Sequence, residues 1–534
     1  MNELCSLFEN LNGKTVALEA NKIYRVKPED CFHFFGLYCS NTAFKSENPD
    51  GERFAAAYSS GGKNITIEGN NAIIEVRGII TPLVFTRVKN LTVKDLRIDY
   101  VRPTMSEFCV ISAEKGKIRV KIADEFLYEI QNGKLFWVGE KDETGKEYFR
   151  YPYKGDGVLS QTFNPQTGKL KMLPRGENDK MPSVPDLESV TEVQNGVLDM
   201  VFKDKTLTFP VGTVFQTRSV ARKQVGGIFD ECKNLTLQNV EINAMNGMGL
   251  VFQNCDTVRL NGVKCVPGKG RTICCNADFF HFSGCKGKIT VENCTAIGAH
   301  DDVINVHGTH LQIVEQNPDD KSIIVKFRNA ASWGFNAYKK GDKIEFVKNQ
   351  TLLPYGKNRV KKAQVIDDYT VKLFLTRKLP KAELGKDVIE NVTRTARLVV
   401  KNNYFERISS RAILCTTRKK VVIKNNVFKN ICGPVLYVAD DCNFWYESGM
   451  SGFIKFINNT VDGCDYGFTG EGEYIIQSDP VVTDKTSKTP VHKAIIIKNN
   501  KFLNPTKDKF YFKFAYLKKR VIKNNYFDNG YEEF

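Results

Sequence analysis

The sequence predicts an all-β protein, a right-handed parallel β-helix carrying two inserted β-barrel-like modules, and three observations predict it. Short β-branched runs that end in Asn-rich turns recur along most of the 534 residues. Matching positions repeat at 23 residues, as from Leu235 to Val258 and from Asn402 to Asn425, inside the window of about 20–50 residues that marks solenoids. No helix-period segment of crossover length separates the runs, so successive strands are expected to stack as parallel coils.

The first coils are read over 1–99, from NITIEGNN at Asn64 and NLTVKDLRI at Asn90. Over 100–216 the Asn turns vanish, and strands such as KGKIRVKI and GKLFWVG alternate with Gly, Asp and Lys turns, which predicts a first all-β insertion. Central coils follow over 217–308, with NLTLQNVEI, TVRLNGVKC and KITVENCTA. A second all-β insertion covers 309–395 (KSIIVKF, YKKGDKIEFV). The last coils fill 396–534, where RLVVKNNYF, KKVVIKNNVF, AIIIKNNKF and KRVIKNNYF share a "KNN" turn. Asparagine suits that turn because it tolerates left-handed backbone and can hydrogen-bond the local main chain.

The formal net charge is +16, and lysines recur before the turns as Lys401, Lys424, Lys498 and Lys523. Such a ladder can meet a polyanion, but without an RNA- or DNA-binding motif a solvated turn edge is the expectation, and no nucleic-acid partner is predicted. No run of eighteen uncharged apolar residues is present to span a membrane. Fifteen cysteines lie scattered rather than densely paired, with Cys232 and Cys255 at rung positions. With no basic and apolar leader visible in MNELCSLFENLNGKTVAL, this predicts a reducing, cytoplasmic setting. A homo-oligomer is compatible with the sequence.

The chemistry is read from Cys275–His310. Asp278 precedes the pair Asp301-Asp302 by one repeat length, so the three carboxylates are expected on adjacent coils, Asp278 level with Asp301. Both members of the pair reach one site only if the strand bends or ends there, and Gly298 permits that. Clustered carboxylates are unfavourable unless one holds a proton, which is what a glycosidase needs: a neutral acid for the leaving oxygen and an ionised base for water. Three aspartates suit an inverting design, two sharing a water while the third protonates the sugar oxygen.

Four of the six histidines, His281, His300, His307 and His310, fall in the same window. They also raise a zinc reading, but no HExxH or paired CxxC supports it. Calcium on Asp301 and Asp302, as in β-helical polysaccharide lyases, goes with the alternative, a lyase or hydrolase acting on an anionic polysaccharide. No metal and no cofactor are expected. A second constellation, Trp445-Tyr446-Glu447, offers an aromatic face for a pyranose beside a carboxylate for its hydroxyls. His281, Asn305, His307, Arg411, Trp445 and Glu447 are the candidate substrate-binding residues.

The runs VGGIFDECKNLTLQNVEINAMNGMGLVFQNC (225–255), NADFFHFSGCKG (276–287), DDVINVHGT (301–309) and WYESG (445–449) resemble glycoside hydrolase family 110. The resemblance implies an inverting exo-α-galactosidase that removes terminal α-1,3-linked galactose, as in blood group B and linear α-galactosyl glycans. More distantly the site is similar to that of family 28 polygalacturonases, whose Asn-Thr-Asp and Asp-Asp motifs match Asn276-Ala277-Asp278 and Asp301-Asp302. That likeness implies Asp301 as general acid, with Asp278 and Asp302 holding the attacking water. The Gly-His-Gly and Arg-Ile-Lys motifs of that family are not matched, which favours a neutral galactoside over a uronate.

Overall fold

In the computed structural model, described over residues 3–42, 44–174, 182–467, 474–505 and 512–528, parallel strands stack into two long sheets that close around one apolar interior. One sheet has nineteen strands and the other eleven. Register in the larger sheet runs Leu91, Leu235, Val258, Ile289, Leu398, Val421, Ile454, Ile495, so one inward position is filled by a branched aliphatic on coil after coil. In the smaller sheet Phe85, Phe229, Phe252 and Phe282 stack face to face with centroids 6.0, 5.1 and 4.7 Å apart. All four rings are fully buried, and each removes an area from water worth about 1.5–3 kcal/mol.

The "KNN" turns divide their labour. The first Asn takes the left-handed backbone, as Asn402, Asn425, Asn499 and Asn524 with φ of 58°, 56°, 56° and 55°. The second points inward: Asn403 Nδ2 donates to Asn426 Oδ1 at 2.8 Å, Asn426 to Asn459 at 2.9 Å, Asn459 to Asn500 at 3.1 Å and Asn500 to Asn525 at 2.9 Å. A buried amide left unpaired would cost about 1–3 kcal/mol, so each coil needs the Asn of the next. The sequence separations along this ladder are 23, 33, 41 and 25. The period of 23 is therefore the shortest coil rather than a constant.

The two insertions are all-β, and among the described residues only the second closes. Its strands Leu311–Asn317, Ser322–Lys326, Thr370–Leu375, Pro354–Val365, Lys343–Val347 and Val388–Asn391 form a six-stranded barrel around Phe327, Phe346 and Leu373. The first is an open seven-stranded antiparallel sheet between Met105 and Ser219, joined by a three-stranded sheet that covers Phe108 and Phe215 with Trp137. Its edge strands, Lys169–Met172 and Leu187–Gln194, are short or largely exposed and do not pair with each other. Alternating hydrophobicity reports which face of a strand is buried, not whether a sheet's edges meet, so closure was beyond the sequence pattern.

No helix among the described residues is long and apolar enough to cross a membrane. Cys232, Cys255 and Cys285 stack on neighbouring coils as free, buried thiols.

Candidate active site

The candidate site lies where coils turn between the two sheets. Strand Thr295–Ala299 ends before Asp301, and the next strand, Ile304–Thr309, begins after Asp302. The pair thus sits in a corner, where successive side chains need not alternate between faces. Gly298 enters that corner at φ 76°, and a Cβ there would meet Thr272 O at 2.7 Å.

Register corrects one expectation. Asp278 is level with Asp302, not Asp301: Phe280 pairs with Ile304, Phe279 N donates to Asp302 O at 2.9 Å, and Asp302 N donates to Asp278 Oδ1 at 3.3 Å. The coils align by matching inward residues, Phe280 on Ile304 and Phe282 on Val306, and the corner absorbs one residue more than the nominal period.

The three carboxylates nevertheless converge, one oxygen of each lying within 4.8 Å of the others. Arg411 Nε meets Asp302 Oδ1 at 2.8 Å, and the Arg411 backbone N–H donates to the same oxygen at 3.1 Å. Asp302 Oδ2 is buried with no protein hydrogen-bond partner. Asp301 is the most exposed of the three and is flanked by Arg222 Nη2 and Arg411 Nη2, each at 3.8 Å. Burial and then the charge of Asp301 push the Asp278 carboxyl up to about 7. Burial also pushes Asp302 well up, with Arg411 pulling the other way. Among the described residues this trio is the one group of three acidic, imidazole or thiol side chains close enough to share a cation, yet Arg222 and Arg411 already supply neutralising charge to it.

The other wall comes from distant coils. Trp445 is 42 % exposed at the cleft, whereas Trp137 and Trp333 are core residues of the two insertions. Its loop is rigid: the Asp441 carboxylate accepts the backbone N–H groups of Asn443, Phe444 and Trp445, and His310 Nε2 meets Asp440 Oδ1 at 2.9 Å. Glu447 is fixed by Asn305 Nδ2 at 3.4 Å and by Asn41 Nδ2 at 2.9 Å. Asn41 is itself held by Ser332 of the barrel, whose Oγ meets Asn41 Oδ1 at 2.8 Å.

Of the residues singled out from sequence, Asp278, Asp301, Asp302, Asn305, Arg411, Trp445 and Glu447 all line the cleft. His281 and His307 do not. They are buried behind Asp278, with His281 Nδ1 at 2.9 Å from its Oδ2. His300 is buried against Arg218 and Gln216 of the first insertion. Asn41, Arg222 and Leu414 line the cleft without having been foreseen. The sequence signal for Asn41 and Arg222 was absent, since each lies outside any repeat.

Comparison with known proteins places the chain in a family. Residues 322–389, within the closed barrel, match the model of GLAA-B beta-barrel domain II. An alpha-1,3-galactosidase A of Bacteroides fragilis (strain YCH46) is 31 % identical, over 87 % of this chain and 74 % of that protein. The chain belongs to the alpha-1,3-galactosidase family. It is a glycoside hydrolase with its family. An alpha-1,3-galactosidase A of Bacteroides thetaiotaomicron is 32 % identical over 87 % of this chain and 78 % of that protein. An alpha-1,3-galactosidase B of the same organism is 28 % identical over 82 % and 70 %.

Proposed function

We propose that this chain is an inverting exo-α-1,3-galactosidase of glycoside hydrolase family 110, releasing terminal α-1,3-linked galactose from blood group B-type or linear α-galactosyl glycans. The observation that carries the reading is the convergence of Asp278, Asp301 and Asp302 beneath Trp445 and Glu447. Family membership supports the linkage.

In this reading Asp301, the most accessible aspartate, gives its proton to the glycosidic oxygen. A water held by Asp278 and the unpartnered Oδ2 of Asp302 loses a proton to that pair as it attacks the anomeric carbon. Arg411 orients Asp302 and favours its ionised form against the burial that opposes it. Trp445 offers its face to the pyranose, and Glu447 accepts sugar hydroxyls. One displacement inverts the centre without a covalent intermediate. Spacing cuts the other way: nearest oxygens within 4.8 Å are below the separation of about 6.5–9.5 Å usual for inverting pairs. Inversion therefore rests on the division of labour among three carboxylates, and product stereochemistry decides it.

Incubation with a panel of terminal α-galactosides, followed by assay of free galactose, tests the substrate. Release from α-1,3-linked substrates is expected. Absence of galactose together with an ultraviolet-absorbing unsaturated product on anionic polysaccharides would replace this reading with the lyase alternative.

A further inference from the structure

Three hydrogen bonds run in series from Asp278 away from the cleft. Asp278 Oδ2 meets His281 Nδ1 at 2.9 Å, His281 Nε2 meets His307 Nε2 at 3.1 Å, and His307 Nδ1 meets the Gly308 carbonyl oxygen at 2.6 Å. Each bond needs one proton. Two neutral imidazoles carry one N–H apiece, so they supply two protons for three bonds. The chain is complete only if it holds a third.

The Gly308 carbonyl sets the direction. A carbonyl cannot donate, so His307 carries its proton on Nδ1 and presents Nε2 as an acceptor. His281 must then donate from Nε2 and accept at Nδ1, which leaves Asp278 Oδ2 as the donor. Burial agrees with a neutral His281, whose side chain is 0 % exposed. Burial, and then His307, push His281 down to about 3, while Asp278 moves the opposite way. The ionisable groups that face this chain are Asp301, Asp302, Glu447, Arg222 and Arg411.

We propose that His281 and His307 are positioning residues that form a proton relay behind Asp278, storing its proton on His307 while Asp278 acts on water. The transfer balances. Asp278 O–H gives its proton to His281 Nδ1 as His281 Nε2–H gives its own to His307 Nε2, so two protons each move one bond. Asp278 becomes a carboxylate and His307 an imidazolium, and the net charge of the three groups stays at zero. Glu447 Oε1, 3.6 Å from His307 Nε2, faces the new cation. Asp278 is then free to accept the proton of the attacking water. The proposal deepens the galactosidase reading, because it assumes that Asp278 handles that water.

Nitrogen NMR of histidine-labelled, substrate-free protein near neutral pH tests it without any turnover. Neutral His307 protonated on Nδ1 beside neutral His281 protonated on Nε2 is expected, and any other pair of protonation states overturns the relay. A kinetic arm reads the same chain. His307→Gln is expected to lower kcat about a hundredfold with KM unchanged, and to turn a curved dependence of kcat on the deuterium fraction of the solvent into a straight one. The same loss with the curvature kept would make His307 merely structural. The NMR result stands whichever glycoside is cleaved, so failure of the relay and failure of the galactosidase reading are separable.

Discussion

Arg411 holds one oxygen of Asp302 twice, through Nε at 2.8 Å and its backbone N–H at 3.1 Å, and leaves the other oxygen unpaired in the protein. A carboxylate locked on one side and open on the other is positioned for a single reacting water. Asp302→Asn and Asp278→Asn are each expected to lower kcat by at least about a hundredfold in folded protein, as is Asp301→Asn, since acid–base groups contribute about 10²–10⁴-fold. Steady-state rates on an α-1,3-galactoside, with thermal melts as the folding control, measure this. A silent Asp278 or Asp302 variant would end the shared-water assignment, and a silent Asp301 variant would remove it as the acid.

The raised Asp278 carboxyl gives a pH profile with a definite sign. Because the relay takes the proton of Asp278 onto His307, kcat/KM should hold as pH drops through about 7, and His307→Gln, which cannot take that proton, should show a fall there instead. Stability carries its own slope. A folded-state pKa above the unfolded value of about 3.9 means that the fold binds this proton more tightly. That contribution is full in acid below the unfolded value and is lost as pH rises through about 7. Melting temperatures of the parent and Asp278→Asn across pH 5 to 8 should show a slope in the parent that the variant flattens.

Trp445→Ala is expected to reduce catalytic efficiency with little change in melting temperature, because the indole is 42 % exposed and its loop is held by Asp441 and Asp440 rather than by the ring. A collapse in melting temperature would make Trp445 a packing residue.

Dialysis against EDTA should leave the rate unchanged, since the proposed proton transfers use carboxyl groups and the compensating charge comes from Arg222 and Arg411. Loss of activity restored by calcium or zinc would assign a cation to the aspartates.

Proton NMR recorded before mutarotation should show β-galactose first, the outcome of one displacement on an α-galactoside. α-Galactose as the first product would mean retention and a nucleophilic aspartate.

The sequence made the coils and the aspartate trio legible because both are local statements: a β-branched run, an Asn turn, an acidic pair at a corner. It misplaced Asp278 by one position because register follows the match of Phe280 to Ile304, a pairing between coils that no residue count reveals. Histidines near the aspartates read as sugar contacts for a similar reason. Composition located His281 and His307 at the site, but only the fold shows that they stand behind a carboxylate rather than beside the substrate. Asn41 was invisible because its importance comes from Glu447, 406 residues away.

That last separation bears on synthesis. The cleft takes Asn41, braced by Ser332 of the barrel, from the first coils and Glu447 from a late loop, with the three aspartates between them in sequence. A chain emerging from the ribosome can stack its early coils as they appear, because each rung leans mainly on its neighbours. Its cleft, however, stays open-walled until translation has passed Glu447. Stability is acquired coil by coil, while the ability to grip a sugar arrives in one late step, when Glu447 meets Asn41 across 406 residues.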